Sequence, residues 1–155
     1  MQKKQSFTVK EAQKKLEHYC TYQERCHQEV VNKLKQLGMI PLAIDTVVSK
    51  LIRDNYLNEA RFAQSFARGK FRIKKWGKIR IKRELKARQV SDYNIKRGLK
   101  EIPENDYNNT FWFLFEKRKK AVDGNNPLTQ KKKIISYMVY RGWETQKIYE
   151  ALQDL

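Results

Sequence analysis

The sequence predicts an all-α protein built from three tandem three-helix, helix-turn-helix-like repeats, and three observations carry that prediction. Apolar residues recur at offsets of three and four along most of the chain, which is the period of a helix face. Helix-starting residues such as Thr8, Ser91 and the Asn126–Pro127 pair alternate with helix-ending glycines such as Gly38 and Gly142. The punctuation also repeats. Leu34, Leu85 and Met138 lead three segments spaced 51 and 53 residues apart, followed four residues on by Gly38, Gln89 and Gly142. Next come Met39, Val90 and Trp143, then Ile44, Ile95 and Ile148, then Val48, Leu99 and Leu152. This register divides the chain into repeats 8–55, 56–103 and 104–155. Units this small are expected to pack on one another, giving an elongated or curved molecule.

In the first repeat, Thr8 and Glu11 form a capping-box pattern ahead of a helix with Val9, Ala12, Leu16 and Tyr19 on one face. Thr21 and Glu24 have the same spacing and predict the start of a second helix, with Val30, Val31, Leu34 and Leu37 along it and Gly38 as its stop. Pro41 opens a third, carrying Ile44, Val47, Val48 and Leu51 and ending near Asn55. The second repeat starts at about Asn58, with Phe62, Phe66 and Ile73 at helix-compatible offsets. Gly69 in that run is expected to admit a close neighbour. KFRIKK alternates like a strand, but it is short and flanked by helix signals, so a helix is expected. Trp76–Gly77 is the break. Residues 78–88 follow with Ile81 and Leu85 inward, and Ser91 caps a helix bearing Ile95, Leu99 and Ile102 before Pro103. In the third repeat Tyr107, Phe111, Leu114 and Phe115 mark an aromatic helix. Asn126 and Pro127 start the next, with Ile134, Ile135, Met138 and Val139, and Ile148 and Leu152 mark the last.

Charge narrows the function. The chain has 34 Lys+Arg against 17 Asp+Glu, a formal net charge of +17, which favours nucleic acid or an acidic protein surface as partner. The excess concentrates between Phe66 and Arg88: Arg68, Lys70, Arg72, Lys74, Lys75, Lys78, Arg80, Lys82, Arg83, Lys86 and Arg88 stand against the single acid Glu84. Phe66, Phe71, Ile73, Trp76, Ile79, Ile81 and Leu85 are threaded among them, so this is a folded element with a charged face rather than a disordered arm. These eleven residues are the candidate binding set; the plainer alternative is a solvated face. Trp76, Lys117, Arg118, Lys131 and Lys132 are secondary candidates. Phe71 and Trp76 could stack on bases, but at helical spacing both are expected in the core. Phe111, Trp112, Phe113 and Phe115 are too many aromatics for one helix face to bury, so part of this group is expected at an interface.

Other classes are set aside. No apolar run approaches the roughly 18–20 residues that span a bilayer, and the N-terminus lacks a signal-peptide core, so a cytoplasmic location is expected. Cys20 and Cys26, near His18 and His27, lack a C-x2-C knuckle and read as ordinary reduced thiols, not a metal site. There is no Gly-rich phosphate loop, H-E-x-x-H motif or DxD-type carboxylate cluster, so no enzymatic activity and no cofactor are expected.

Tyr56-Leu57-Asn58-Glu59-Ala60-Arg61-Phe62-Ala63, then Phe66 and Arg68, then Gly77, Ile81 and Leu85, resembles the middle repeat of the RecX family of recombination regulators. Tyr19, Arg25, Lys33-Leu34 and Gly38-Met39 match the first repeat's pattern, and the likeness spans about residues 10–155, weakest in the last third. The resemblance implies a cytoplasmic, non-enzymatic modulator of the RecA recombinase. It would bind the RecA filament on single-stranded DNA, with duplex DNA as a further ligand, and would usually inhibit. Two positions depart from the pattern. Asn58–Glu59 replaces a pair of acids, and Gln89 stands where glycine is expected, which predicts a different helix end there. Arg61 beside Glu59 is expected to form an ion pair that fixes a repeat junction; the alternative is a contact to the recombinase. The alternative function is a helix-turn-helix-like DNA- or RNA-binding protein that acts independently of RecA. The modest charge of the third helices argues against three recognition helices. A monomer is expected.

Overall fold

Residues 6–154 are described by the computed structural model, and they form nine α-helices with one π-helical turn and no strand among the described residues. The first repeat contains α1 (Val9–Tyr22), α2 (His27–Gln36) and α3 (Pro41–Arg53). The second contains α4 (Glu59–Gly69), the π-helical turn (Lys70–Lys74), α5 (Lys78–Ala87) and α6 (Asp92–Leu99). The third contains α7 (Glu104–Ala121), α8 (Pro127–Tyr140) and α9 (Thr145–Gln153).

Local chemistry sets most helix ends. The Thr8 hydroxyl accepts from the Glu11 backbone N–H at 3.1 Å, and the Glu11 carboxylate accepts from the Thr8 N–H at 3.0 Å, closing the expected capping box. The Thr21–Glu24 box does not form. Thr21 lies inside α1, where its hydroxyl donates to the Glu17 carbonyl at 2.8 Å, the back-bond a helical threonine commonly makes. The next helix starts five residues later, with the Glu29 carboxylate accepting from the Cys26 backbone N–H at 3.3 Å.

The internal repeat is visible in the backbone. Met39, Val90 and Trp143 each donate a backbone N–H to the carbonyl of Leu34, Leu85 and Met138 respectively, at 3.1 Å in every case. The residues before them, Gly38, Gln89 and Gly142, have φ of 80°, 61° and 89°. All three helices thus end in the same left-handed turn. The expectation of a different end at Gln89 is overturned: the hydrogen bond and the burial of Val90 outweigh a left-handed strain of about 1–2 kcal/mol.

Packing is uneven between repeats. Ala12, Leu16, Cys20, Val30, Leu34, Ile44, Val47 and Leu51 form the core of the first repeat, joined by Leu57 from the start of the second. The second and third repeats share a single continuous core, in which Phe62, Ile81, Leu85 and Ile95 meet Phe111, Ile134, Trp143 and Ile148. Within the second repeat α4 crosses α6 at Gly98, where an added Cβ would lie 2.7 Å from the Ala63 carbonyl oxygen. Gly69, the expected point of close approach, has no heavy atom within 4 Å of such a Cβ. Ile73 also departs from expectation. The π-helical turn changes the rotation per residue, so Phe71 points into the core while Ile73 is 79% exposed.

The joint between the second and third repeats is direct and polar. The first N–H groups of α5 meet the C-terminal end of α8: Gly77 donates to the Arg141 carbonyl at 2.8 Å and Ile79 to the Gly142 carbonyl at 3.0 Å. Lys78 N–H donates to the Tyr107 hydroxyl at 2.9 Å, which donates to the Glu144 carboxylate at 2.7 Å. Burial, with that carboxylate beside it, pushes the Tyr107 hydroxyl's pKa well up and keeps it a donor. The Trp143 indole N–H closes the joint on the Lys75 carbonyl at 3.2 Å.

The joint between the first and second repeats is slighter. Arg61 donates to Glu24 at 2.5 Å and to the carbonyls of Asn55 and Tyr56 at 2.9 and 3.2 Å. It therefore fixes this junction, but through Glu24 and not through Glu59. Glu59 is used elsewhere, accepting from the Ser91 backbone and the Asn94 amide at 2.9 Å each, and so ties α4 to the start of α6. The described surface is open: 10450 Å² against the roughly 8200 Å² of a compact monomer this size.

Candidate nucleic-acid interface

The eleven basic residues of the middle repeat fall into two groups. Arg72, Lys74, Lys82 and Arg83 are exposed and form no ion pair among the described residues. Lys86 is exposed beside Asp92 at 3.8 Å, a pairing that solvent makes weak. The others brace the fold. Arg68 pairs with Glu101 at 3.4 Å, linking α4 to the residues after α6. Arg88 bonds the Glu84 carboxylate at 3.1 Å and covers the Phe66 ring at 4.9 Å. Arg80 lies between Trp76 and Tyr140, at 4.3 and 4.7 Å from their rings, and donates to the Tyr140 carbonyl at 3.1 Å. Lys70, Lys75 and Lys78 lie over Trp76, Phe113 and Tyr107 at 5.1, 5.9 and 4.6 Å.

Two clefts gather parts of the set. The larger, about 770 Å³ between the first two repeats, brings together Lys70, Lys74 and Arg88, with Ile73 and Phe66, opposite Glu24 and Glu29. The smaller, about 280 Å³ near the start of α7, holds Arg68, Arg72 and Lys75 beside Glu101 and Asp106. Lys78, Arg80, Lys82, Arg83 and Lys86 line neither, so no single cleft holds the candidate set. Phe71 is buried as expected. Trp76 is half-buried, packed on Phe66 with ring centroids 6.3 Å apart.

In the third repeat, Arg118 and Lys132 border a hollow of about 380 Å³ with Lys133, Tyr137 and Arg141, while Lys117 and Lys131 are exposed outside it. The Arg141 guanidinium lies 3.9 Å from the Tyr137 ring and that of Arg118 lies 5.1 Å from it. Arg141 was not among the candidates, although the repeat register carried the signal: it occupies the position of Arg88 in the second repeat. Trp112 and Phe113 are exposed while Phe111 and Phe115 are buried, which divides the aromatic cluster as expected.

The family model for the RecX second three-helix domain matches residues 58–99, from the N-cap Asn58 to the last residue of α6. Regulatory protein RecX of Bacillus cereus (strain B4264) is 32% identical over 137 residues, covering 88% of this chain and 51% of that protein. Its counterpart in Bacillus mycoides (strain KBAB4) is 31% identical with the same coverage. The middle repeat thus matches the RecX second three-helix domain, and 88% of the chain is similar to RecX regulatory proteins. It spans about half the length of the curated relatives it matches.

The crystal structure of RecX from Lactobacillus salivarius superposes with a TM-score of 0.81 at 21% identity, covering 95% of this chain and 97% of that one. A second crystal structure of regulatory protein RecX gives 0.80 at 18% identity, covering 95% and 74%. At those identities the likeness establishes a shared fold: the RecX arrangement of helices persists where most side chains differ. Among the described residues no helix is long and apolar enough to cross a membrane. The two cysteines sit in separate cores, Cys20 in the first repeat and Cys26 against the second. Burial pushes the Cys20 thiol up to about 11 and raises that of Cys26.

Proposed function

We propose that the chain is a negative regulator of the RecA recombinase that binds along the RecA–single-stranded DNA filament. The observation that carries this reading is the family match centred on the middle repeat, the same segment that holds the densest positive charge in the chain. Arg72, Lys74, Lys82 and Arg83 are exposed and free of ion pairs among the described residues, so they can meet phosphates or acidic recombinase residues without first breaking a structural bond. Bound in the filament groove, the protein would bridge neighbouring protomers and hinder both extension and ATP turnover.

The test is the single-stranded-DNA-dependent ATPase of the cognate recombinase, titrated with this protein at two salt concentrations. Wild type should inhibit at well under one molecule per recombinase protomer, with free DNA sites in excess. The Arg72→Glu/Lys74→Glu/Lys82→Glu/Arg83→Glu variant should lose most of that inhibition while melting like wild type. Inhibition by the variant equal to wild type would remove these four side chains from the mechanism. Inhibition only in proportion to DNA sequestered would favour a nucleic-acid binder that acts independently of recombinase.

A further inference from the structure

The first repeat holds a cluster that the middle-repeat reading does not use. Side chains from α1, the segment after it and α2 surround an open pocket of about 700 Å³, within the roughly 300–1,000 Å³ range of small-molecule sites. Lys14, Lys15 and Lys33 stand around it with Tyr19, Tyr22 and Arg25. His18 and Leu37 complete the lining, and none of these residues is acidic.

The pocket combines two tyrosine rings and a guanidinium with three ammonium groups, of which Lys33 lies 5.8 Å from the Tyr19 ring and Lys15 lies 4.9 Å from the Phe7 ring. Arg25 folds back so that its Nε donates to the Tyr19 carbonyl at 3.0 Å, and its guanidinium lies 3.6 Å from the Tyr19 ring. Glu29 holds it from outside the pocket lining at 3.6 Å. Arg25 is thereby a rigid planar group and not a loose charge. Tyr22, at the last position of α1, is 82% exposed, with the same guanidinium 6.0 Å from its ring. A large apolar ring left open beside a fixed guanidinium and three ammonium groups suits a ligand that is both flat and anionic. Bases stack on aromatic and guanidinium planes, and phosphates take the lysines. An acidic peptide would satisfy the lysines but leave the Tyr22 face without a flat partner.

We propose that this pocket is a nucleotide site, with the base stacked against Tyr22 beside Arg25 and the phosphate held by Lys14, Lys15 and Lys33. The nucleotide is either free or one residue of a single strand, because both present the same chemistry. The site is independent of the exposed cations of the middle repeat.

The experiment uses the full chain without recombinase. An iodouracil-substituted mononucleotide and a short iodouracil-substituted single strand are photocrosslinked to it, and the adducts are mapped by mass spectrometry. Adducts at Tyr19 or Tyr22 are expected. Adducts with both probes mark a site open to free nucleotide, and adducts with the strand alone mark a strand site. In parallel, Tyr22→Ala should weaken binding of a labelled single strand by about 5- to 100-fold, the equivalent of losing one base–aromatic stack, and Tyr22→Trp should restore it. Crosslinks confined to residues 68–88 with unchanged binding by Tyr22→Ala would overturn the proposal. So would protection of Lys14, Lys15 and Lys33 from acetylation by a poly-glutamate peptide when neither nucleotide probe protects them. Either failure would leave the recombinase ATPase result standing.

Discussion

Gly77→Ala tests whether the second and third repeats form one unit. Gly77 has φ −76° and ψ 167°, a conformation alanine adopts freely, so backbone strain is not the obstacle. The obstacle is contact. An added Cβ would lie 2.3 Å from the Gly142 carbonyl oxygen and 2.7 Å from the Trp143 Cα, both backbone atoms. Carbon and carbonyl oxygen settle at roughly 3.3–3.6 Å even in a favourable C–H···O contact, so the two repeats must separate by about 1 Å. That movement breaks the bonds of Gly77 and Ile79 to Arg141 and Gly142, now 2.8 and 3.0 Å long. Two hydrogen bonds at about 1 kcal/mol each, plus loosened packing, give roughly 2–4 kcal/mol. For a chain this size the melting temperature should fall by roughly 4–16 °C in a circular-dichroism melt. Gly69→Ala is the control. It adds a methyl to a helical position with open space around it, and should stabilise by about 0.5–1 kcal/mol. Melting of Gly77→Ala within about 2 °C of wild type would refute the close joint.

Gln89→Gly should raise stability by about 0.5–1 kcal/mol in urea unfolding, because it removes a left-handed side chain from a turn whose two counterparts are already glycine. Arg61→Met should destabilise by about 1–3 kcal/mol: it strips the donor from Glu24, whose other carboxylate oxygen is buried without a partner, and from two backbone carbonyls. Glu59 links stability to pH. Burial alone would raise its pKa, but the hydrogen bonds from Asn94 and Ser91 prevail and lower it from 4.5. The stability it contributes is therefore complete above that ordinary value and lost as pH falls through the folded one. The gap in urea midpoint between wild type and Glu59→Gln should accordingly be constant at neutral pH and narrow in acid. With its thiol pushed up to about 11 and buried, Cys20 should react with iodoacetamide at pH 8 far more slowly in the native protein than in urea, as followed by mass spectrometry.

The fold was legible because its governing signals are local. The Leu34, Leu85 and Met138 register needs only apolar spacing and a helix stop, and it located three helix ends that the structure closes with hydrogen bonds spanning five residues. Failures came where a distant partner decides. Thr21–Glu24 has capping-box spacing, yet Glu24 is engaged by Arg61, 37 residues away, and α1 continues past Thr21. Gly69 and Gly98 look alike in sequence, and only the crossing of α4 over α6 shows which one needs to lack a side chain. Gln89 looked unable to copy the glycine turn because strain was judged without the bond from Val90 that repays it. The candidate site was legible as charge but not as a surface. Composition counts lysines and arginines without saying which are already held.

That distinction follows from how small repeats are stabilised. A unit of about fifty residues buries a limited apolar core, so other contacts must close its seams. Here arginine closes many of them. Arg80 lies between Trp76 and Tyr140 across the second and third repeats, Arg88 covers Phe66, and Arg25 lies on Tyr19. Each contact uses the hydrocarbon stem and planar face of the side chain as well as its charge, which lysine reproduces poorly. Loss of activity in Arg80→Ala would therefore say little about DNA, because the same change opens a repeat joint. Charge reversal at Arg72, Lys74, Lys82 and Arg83 leaves those seams intact, so an effect on recombinase can be assigned to the surface itself. The same reasoning separates Tyr22, exposed and free to stack, from Tyr19, which Arg25 already covers.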